Sequence, residues 1–288
     1  MSLSHFASTE VENRATAARA DRVVASPRAR RAMRQHALDP RRVRGSGPGG
    51  RIVEADVLAA VGQAGAAPSM RRGIARRTSE SFATAPHFYL RAEADMSLLI
   101  ALRQRLIGPI QEQAGVRLTL TDLILRAQAR GLRDCPRANR VWHNDAVVQM
   151  PSVDVGLVVA LDDGLLVGMI RQADQLPLDQ LARKRSELVS AARAGRLPAA
   201  AMGGGASSLT NLGPGRVDEF AAVLMPPQST MLATGSIAAR PFVLSNQLTV
   251  RPTLRLTLSV DHRVLDGGPA AAFLSRIVEC LERPELLL

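Results

Sequence analysis

Residues 254–267 read LRLTLSVDHRVLDG, and this stretch contains the features that decide the fold of the larger part of the chain. Residues 254–260 predict a β-strand because they are rich in leucine, threonine and valine. Asp261 and His262 follow directly, and Gly267-Gly268-Pro269 then opens a predicted helix. A junction of strand and turn holds a side chain at the rim of a domain with fixed geometry. His262 is therefore the first candidate for a catalytic residue.

The rest of the large domain alternates predicted helices with predicted strands. Apolar and β-branched runs predict strands, and spaced apolar positions predict amphipathic helices. This interleaving predicts the α/β class. The predicted strands cover residues 87–94, 153–161, 165–170, 207–210, 230–234 and 254–260, and the predicted helices cover residues 96–107, 121–132, 178–194 and 268–281.

The first 69 residues predict three different segments. Residues 1–24 show no sustained apolar face and predict a disordered tail. Residues 25–61 predict a small all-α domain, with Ser26 capping a first helix and Val53, Val57, Leu58 and Val61 on one face of a second. Residues 62–69 predict a flexible linker, so the large domain covers residues 70–288.

Composition excludes several classes of function. No long apolar run predicts a membrane span, and the charged first 25 residues exclude a signal peptide. Cys135 and Cys280 have no metal or redox spacing, so we expect reduced thiols, no metal site and a cytoplasmic protein. The net charge of +11 is carried almost wholly by arginine, but aromatic residues make up only 3% of the chain. With so few platforms for base stacking, we do not expect nucleic-acid binding.

The spacing His-x-x-x-Asp-Gly at His262 resembles the motif of the chloramphenicol acetyltransferase superfamily. The full form Asp-His-Arg-x-x-Asp-Gly resembles the dihydrolipoamide acyltransferases in particular. Further segments resemble that family in the same order along the chain: 71–77, 86–90, 153–156, 163–165, 210–213 and 226–228. The resemblance implies a chloramphenicol-acetyltransferase-like catalytic domain, a mixed sheet with helices, and an acyltransferase that uses coenzyme A or acetyl-CoA.

The same resemblance implies roles for four residues. Acyl transfer from a thioester requires a base for the acceptor's proton and a donor for the oxyanion. His262 would be the base, and Thr210, 52 residues earlier, would donate to the oxyanion. Asp266 would fix the loop by pairing with Arg77. The residues that bind the CoA moiety remain unassigned. Because the chain has one copy of the fold, the resemblance implies a homotrimer or a larger assembly of trimers, with Thr210 and His262 meeting across a subunit boundary.

Residues 25–61 resemble the peripheral-subunit-binding domain of 2-oxo acid dehydrogenase complexes. The resemblance rests on the glycine loop 45–50, the arginine that follows it and the flanking segments. It implies that basic side chains bind a dehydrogenase subunit, and a solvated arginine surface without a partner is the alternative. The arginines concerned are Arg28, Arg31, Arg34, Arg41, Arg42, Arg44 and Arg51.

The chain departs from this family in one respect that leads to two hypotheses. Residues 1–24 leave no room for a lipoyl domain, and the only lysine, Lys184, lies on a predicted helix, so we expect no lipoyl attachment in this chain. The first hypothesis is an O-acetyltransferase that moves acetyl from acetyl-CoA to a hydroxyl of a small metabolite, such as a hydroxymethyl tetronate of polyketide biosynthesis. The second is the acyltransferase and scaffold subunit of a 2-oxo acid dehydrogenase complex, served by a separate lipoyl protein.

Overall fold

The computed structural model describes residues 23–36, 38–64, 69–162 and 164–288. The chain divides into two compact units, Met1–Pro68 and Ser69–Leu288. Most of the predicted tail, residues 1–22, lies outside the described residues. The predicted linker 62–69 is helical at both ends, because residues 62–64 and Ser69 belong to helices, and residues 65–68 lie outside the described part.

Within its described residues, the small unit contains two helices, α1 (Pro27–Gln35) and α2 (Glu54–Ala64), joined by two 3-10 turns. As the sequence predicts, the Ser26 side chain caps α1 by accepting a hydrogen bond from the Ala29 amide at 3.1 Å. The core includes Met33, Ile52 and the fully buried Val57. Leu58 was expected on the same buried face but is 55% exposed, because adjacent helix positions point about 100° apart.

A hydrogen-bonded carboxylate closes the loop of the small unit. Asp56 accepts hydrogen bonds from the backbone amides of Ser46 and Val53, both at 2.9 Å, and from the Ser46 hydroxyl at 2.6 Å. These bonds hold the pKa of Asp56 below its usual range. The glycine loop is thereby fixed to the first turn of α2.

The large unit is built around one mixed, seven-stranded sheet. The strands of the unit are β1 (His87–Asp95), β2 (Arg140–His143), β3 (Ala146–Gln149), β4 (Val155–Leu161), β5 (Gly164–Ile170), β6 (Ser207–Asn211), β7 (Thr230–Thr234), β8 (Ala238–Leu244) and β9 (Gln247–Asp261). The strand order in the sheet is β1-β9-β7-β6-β4-β5, with β8 paired to β9; β4, β6 and β7 run parallel and the other pairs are antiparallel. The predicted α/β class is confirmed.

The described residues of the large unit form five α-helices: α3 (Ser69–Thr84), α4 (Ser97–Ala114), α5 (Leu120–Asp134), α6 (Leu178–Arg193) and α7 (Gly267–Glu282). Helix α5 begins with a capping box, in which Thr119 and Asp122 satisfy each other's backbone amides. It packs against α7 so closely that a Cβ on Gly131 would lie 2.9 Å from the Phe273 ring. The largest core lies on this face of the sheet and includes Leu209, Leu258, Val260 and Phe273.

Two hairpins complete the unit. Strands β2 and β3 form a separate two-stranded sheet, and β8 with the first half of β9 forms a long ribbon. Cross-strand pairs on the ribbon join Pro241 to Val250 and Val243 to Leu248; the last three of these side chains are 65–76% exposed. No helix of the described residues combines the length and the apolar character that a bilayer span requires.

Candidate active site

His262 lies where the sequence predicts it, immediately after the last residue of β9. Its backbone amide donates to the carbonyl of Pro86 at 2.9 Å, which fixes the turn to the segment that precedes β1. Its ring lies 4.6 Å from the ring of Phe88, centroid to centroid, while 53% of the side chain remains exposed. The main chain is therefore anchored while the imidazole stays accessible to a reactant.

Asp266 faces His262. One carboxylate oxygen lies 3.6 Å from Nδ1 of the imidazole, just beyond direct hydrogen-bond distance. Nε2, on the other side of the ring, is then the candidate base atom. The suggested pair between Asp266 and Arg77 stays a prediction: in the single chain Asp266 faces His262, and Arg77 lies on α3 beside the cavity of Thr210.

Thr210 lies in β6 and lines a cavity of about 510 Å³. Among the described residues its hydroxyl has no hydrogen-bond partner, so it can donate to a bound group. The turn after β6 is held by the neighbouring residue instead: Asn211 Oδ1 accepts from the Gly213 amide at 2.7 Å, and its Nδ2 donates to Thr121 Oγ1 at 3.0 Å. Asn211, and not Thr210, therefore caps this turn.

The cavity is mostly apolar, and its wall contains a glutamine that the sequence analysis did not single out. Gln228 is 4% exposed; its side-chain nitrogen donates to the Gly204 carbonyl at 3.0 Å, and its oxygen accepts from the Ser208 hydroxyl at 2.6 Å. The segment 226–228 resembled the family, but a lone glutamine gives no signal of burial. The lining includes Ile74, Val158, Leu165, Phe220, Val223 and Met231, and Arg77 is its one charged residue among those described.

A single chain keeps Thr210 and His262 apart. Thr210 pairs with Ala233, which in turn pairs with Thr257, and His262 lies five positions beyond Thr257. At about 3.4 Å per residue and about 4.8 Å between neighbouring strands, Thr210 and His262 are separated by about 17 Å along β9 and by about 10 Å across the sheet. The two residues cannot act together on one small group within one chain. This agrees with the expectation that they meet across a subunit boundary.

The other titratable groups of the described residues form no competing site. Burial raises the pKa of the Cys135 and Cys280 thiols, which opposes thiolate chemistry at neutral pH. In the described ranges no cluster of histidine, cysteine and acidic side chains could hold a metal ion. His87 is structural: Nδ1 lies 2.6 Å from the Ala85 carbonyl, and Nε2 accepts from the Leu224 amide at 3.1 Å.

Comparison with known proteins agrees with this architecture. A family model described as 2-oxoacid dehydrogenases acyltransferase (catalytic domain) matches residues 63–288, and one described as e3 binding domain matches residues 23–58. Fold and matches together define an acyltransferase domain that follows an E3-binding domain. The chain belongs to the 2-oxoacid dehydrogenase acyltransferase family.

Individual relatives support the same assignment. The chain is 35% identical over 292 residues to the dihydrolipoyllysine-residue acetyltransferase component of the pyruvate dehydrogenase complex of Zymomonas mobilis, covering 92% of this chain and 66% of that protein. It is 30% identical to Azotobacter vinelandii dihydrolipoamide acetyltransferase, with a TM-score of 0.74 over 77% of this chain and 92% of that one. The cubic core of a pyruvate dehydrogenase multienzyme complex gives 30% identity and a TM-score of 0.73, with the same coverage.

Proposed function

We propose that this chain is the acyltransferase of a 2-oxo acid dehydrogenase complex and transfers an acyl group between coenzyme A and a dihydrolipoyl group. One observation carries the proposal. In the Azotobacter protein, a serine, a histidine and an asparagine have been investigated for roles in the catalytic mechanism. Their separations, 52 and then 4 positions, are those of Thr210, His262 and Asp266. Thr210 has a hydroxyl, as the serine does. Asp266 has a carboxylate where the asparagine has a carboxamide.

The metabolite O-acetyltransferase hypothesis is not supported by the comparisons, and the second hypothesis fits them better. The first hypothesis rested on the missing lipoyl domain. A lipoyl group can reach this site from another polypeptide or from a part of the protein outside residues 1–288. The missing lysine therefore does not require a different acceptor.

The residues of the site suit transfer between two thiols. His262 Nε2 removes the proton from the attacking thiol, and the resulting thiolate adds to the thioester carbonyl carbon. The Thr210 hydroxyl donates a hydrogen bond to the oxyanion of the tetrahedral intermediate. Collapse of the intermediate expels the second thiolate, which takes the proton back from His262. No acyl-enzyme is needed, and Asp266 stabilises the imidazolium while it carries the proton.

Two features support a homotrimer or a larger assembly of trimers. Thr210 and His262 are separated within one chain, so a second copy has to complete each site. The β8–β9 ribbon carries exposed apolar side chains, Val243, Leu248 and Val250, of the kind that an interface between subunits buries. The similarity to a cubic core supports assembly of this kind.

Residues 25–61 are proposed to bind a dehydrogenase subunit. The match to an E3-binding domain supports this, as do the exposed side chains of the predicted binding arginines. Those that the structure describes as exposed are Arg28, Arg31, Arg34, Arg41, Arg44 and Arg51. The side chain of Arg42 lies outside the description.

Acyl transfer to free acceptors tests the function. The chain is incubated with acetyl-CoA and either dihydrolipoamide or a hydroxymethyl tetronate, and the products are identified by mass spectrometry. We expect S-acetyldihydrolipoamide, and an acetylated tetronate without any thioester product would contradict the proposal.

Pull-down with purified dihydrolipoamide dehydrogenase tests the small unit. We expect the wild-type chain to retain the dehydrogenase. An Arg31→Glu/Arg34→Glu variant, which reverses the charge at two exposed positions, should retain less of it.

A further inference from the structure

The two residues that flank His262 hold each other across it. Arg263 donates to the Asp261 carboxylate through its backbone amide at 3.0 Å, through Nε at 3.0 Å and through a terminal nitrogen at 2.7 Å. The Asp261 side chain is only 3% exposed, so this ion pair is shielded from solvent on one side. Because both neighbours of His262 are fixed, the direction of its Cα–Cβ bond is fixed as well.

Arg263 is held from a second direction by Trp142, the only tryptophan of the chain. The guanidinium carbon lies 5.1 Å from the centre of the Trp142 ring, within the range of a cation–π contact. The β2–β3 hairpin that carries Trp142 takes no part in the main sheet, and β3 is exposed along its whole length.

The hairpin is itself anchored to the active-site segments. Val141 forms a β-bridge with Gln228, and the Ser229 hydroxyl donates to the Arg140 carbonyl at 2.5 Å. The Ser229 carbonyl in turn accepts from the Asp261 amide at 2.8 Å. The hairpin thus reaches the His262 turn by two routes, through Ser229 and Asp261 and through Trp142 and Arg263.

We propose that Trp142 is a positioning residue for His262, acting through Arg263 and Asp261. The inference rests on the proposed function, since it assigns His262 the role of base. Trp142 does not contact the imidazole. Its ring instead limits the motion of the guanidinium that braces the turn, and a small misplacement of a base is costly for proton transfer.

Steady-state kinetics of acetyl transfer to dihydrolipoamide test the inference with three variants. We expect Trp142→Leu to lower kcat about tenfold while KM stays within about twofold, because geometry is lost but binding is not. Trp142→Phe keeps an aromatic face for Arg263 and should retain most of kcat. His143→Ala removes an exposed ring from the neighbouring position of the same strand and should behave as wild type.

A second readout does not depend on turnover. Diethyl pyrocarbonate modifies exposed imidazoles, and peptide mapping by mass spectrometry gives the rate at His262 alone. Trp142→Leu should increase this rate severalfold in a folded, assembled protein, while His143→Ala should not. If wild type transfers no acetyl group, the proposed function fails, yet the labelling rates still decide the positioning role.

Two results would overturn the inference. One is a folded Trp142→Leu variant with wild-type kcat and wild-type labelling of His262; the other is a Trp142→Phe variant as impaired as Trp142→Leu. If Trp142→Leu does not fold, Arg263→Lys replaces it and should show the same fall in kcat. A folded Arg263→Lys variant with wild-type kcat and wild-type labelling of His262 would then contradict an action through Arg263.

Discussion

At the scale of single residues, His262 combines an anchored backbone with an accessible ring. We expect His262→Ala to lower kcat by about 10²- to 10⁴-fold, the usual contribution of a positioned base. KM should change little, because the ring is not needed to bind either thiol. Initial rates of acetyl transfer measure the effect. His36→Ala, which removes an exposed histidine of the small unit, is the control, and near-normal turnover by His262→Ala would exclude the base role.

Thr210 is tested by two substitutions, one that keeps its hydroxyl and one that keeps its volume. Thr210→Ser preserves the hydroxyl and should keep kcat within about an order of magnitude, whereas Thr210→Val should lower it about 10²-fold or more by removing the oxyanion donor. The comparison separates hydrogen bonding from packing, because valine fills the volume of threonine. Equal kcat values for the two variants would assign the oxyanion to another donor.

The sequence predicted roles for His262 and Thr210 because both lie in motifs with fixed spacing. It could not locate the partners that come from distant segments. Phe88 beside the imidazole and Gln228 in the cavity wall depend on strand pairing, which brings together residues far apart in the chain. The pairing of Asp266 with Arg77 stays a prediction for the same reason, since resemblance gave the two residues but not their relative places.

At the scale of elements, apolar patterns predicted the central strands and the long helices. Residues 230–234 match β7, and residues 121–132 lie inside α5. The misses are elements without a buried face of their own. The β2–β3 and β8–β9 hairpins and the arginine-rich α3 are largely exposed, so the periodicity that reveals burial is weak there.

The pairing of β4 with β6 depends on a close approach at Gly156. A Cβ at this position would lie 2.0 Å from Ser208 Oγ and 3.0 Å from Val167 Cγ1. We expect Gly156→Ala to lower the free energy of unfolding by about 1–3 kcal/mol, the usual cost of overpacking. Thermal unfolding followed by circular dichroism measures it.

Gly73→Ala is the matched control for this substitution. Gly73 lies within α3 with open space around a new Cβ, so alanine should be neutral or stabilising by up to about 1 kcal/mol. Equal destabilisation by both substitutions would contradict the steric explanation for Gly156.

The loop of the small unit should be sensitive to acid because of Asp56. Its pKa is lowered by the hydroxyl of Ser46 and then by the backbone amides of Ser46 and Val53. A lowered pKa contributes stability that is fully present above the unfolded-state value near 3.8 and is lost as pH falls through the folded-state value.

Hydrogen exchange of the full chain tests this expectation. Amides of residues 45–57 should lose protection as the pH falls below about 4, and Asp56→Asn should lose it already at pH 7. Rates are corrected for intrinsic pH dependence with an unstructured peptide. Protection in Asp56→Asn equal to that of wild type at both pH values would contradict the role of this carboxylate.

At the scale of the whole molecule, the proposed trimer makes a quantitative prediction. A His262→Ala chain keeps Thr210, and a Thr210→Val chain keeps His262, so mixed trimers regain intact pairs at some boundaries. Random mixing in equal amounts should restore about one quarter of the wild-type activity, because a boundary needs one particular chain on each side.

The two variants are unfolded together, refolded and assayed for acetyl transfer. Separately refolded and then combined samples are the control and should stay inactive. Activity that does not rise above the control after co-refolding would show that each chain uses its own Thr210 and His262.

The distance of Thr210 from His262 in the sheet has a consequence for the life of the protein before assembly. A newly made chain holds Thr210 and His262 in two separate half-sites, so it cannot use the pair to transfer acyl groups from thioesters to water or to other thiols. In the proposed assembly, the chains become active only when they associate, and chains that fail to associate stay inactive. The separation of Thr210 from His262 within one chain thus protects activated acyl groups from loss before assembly.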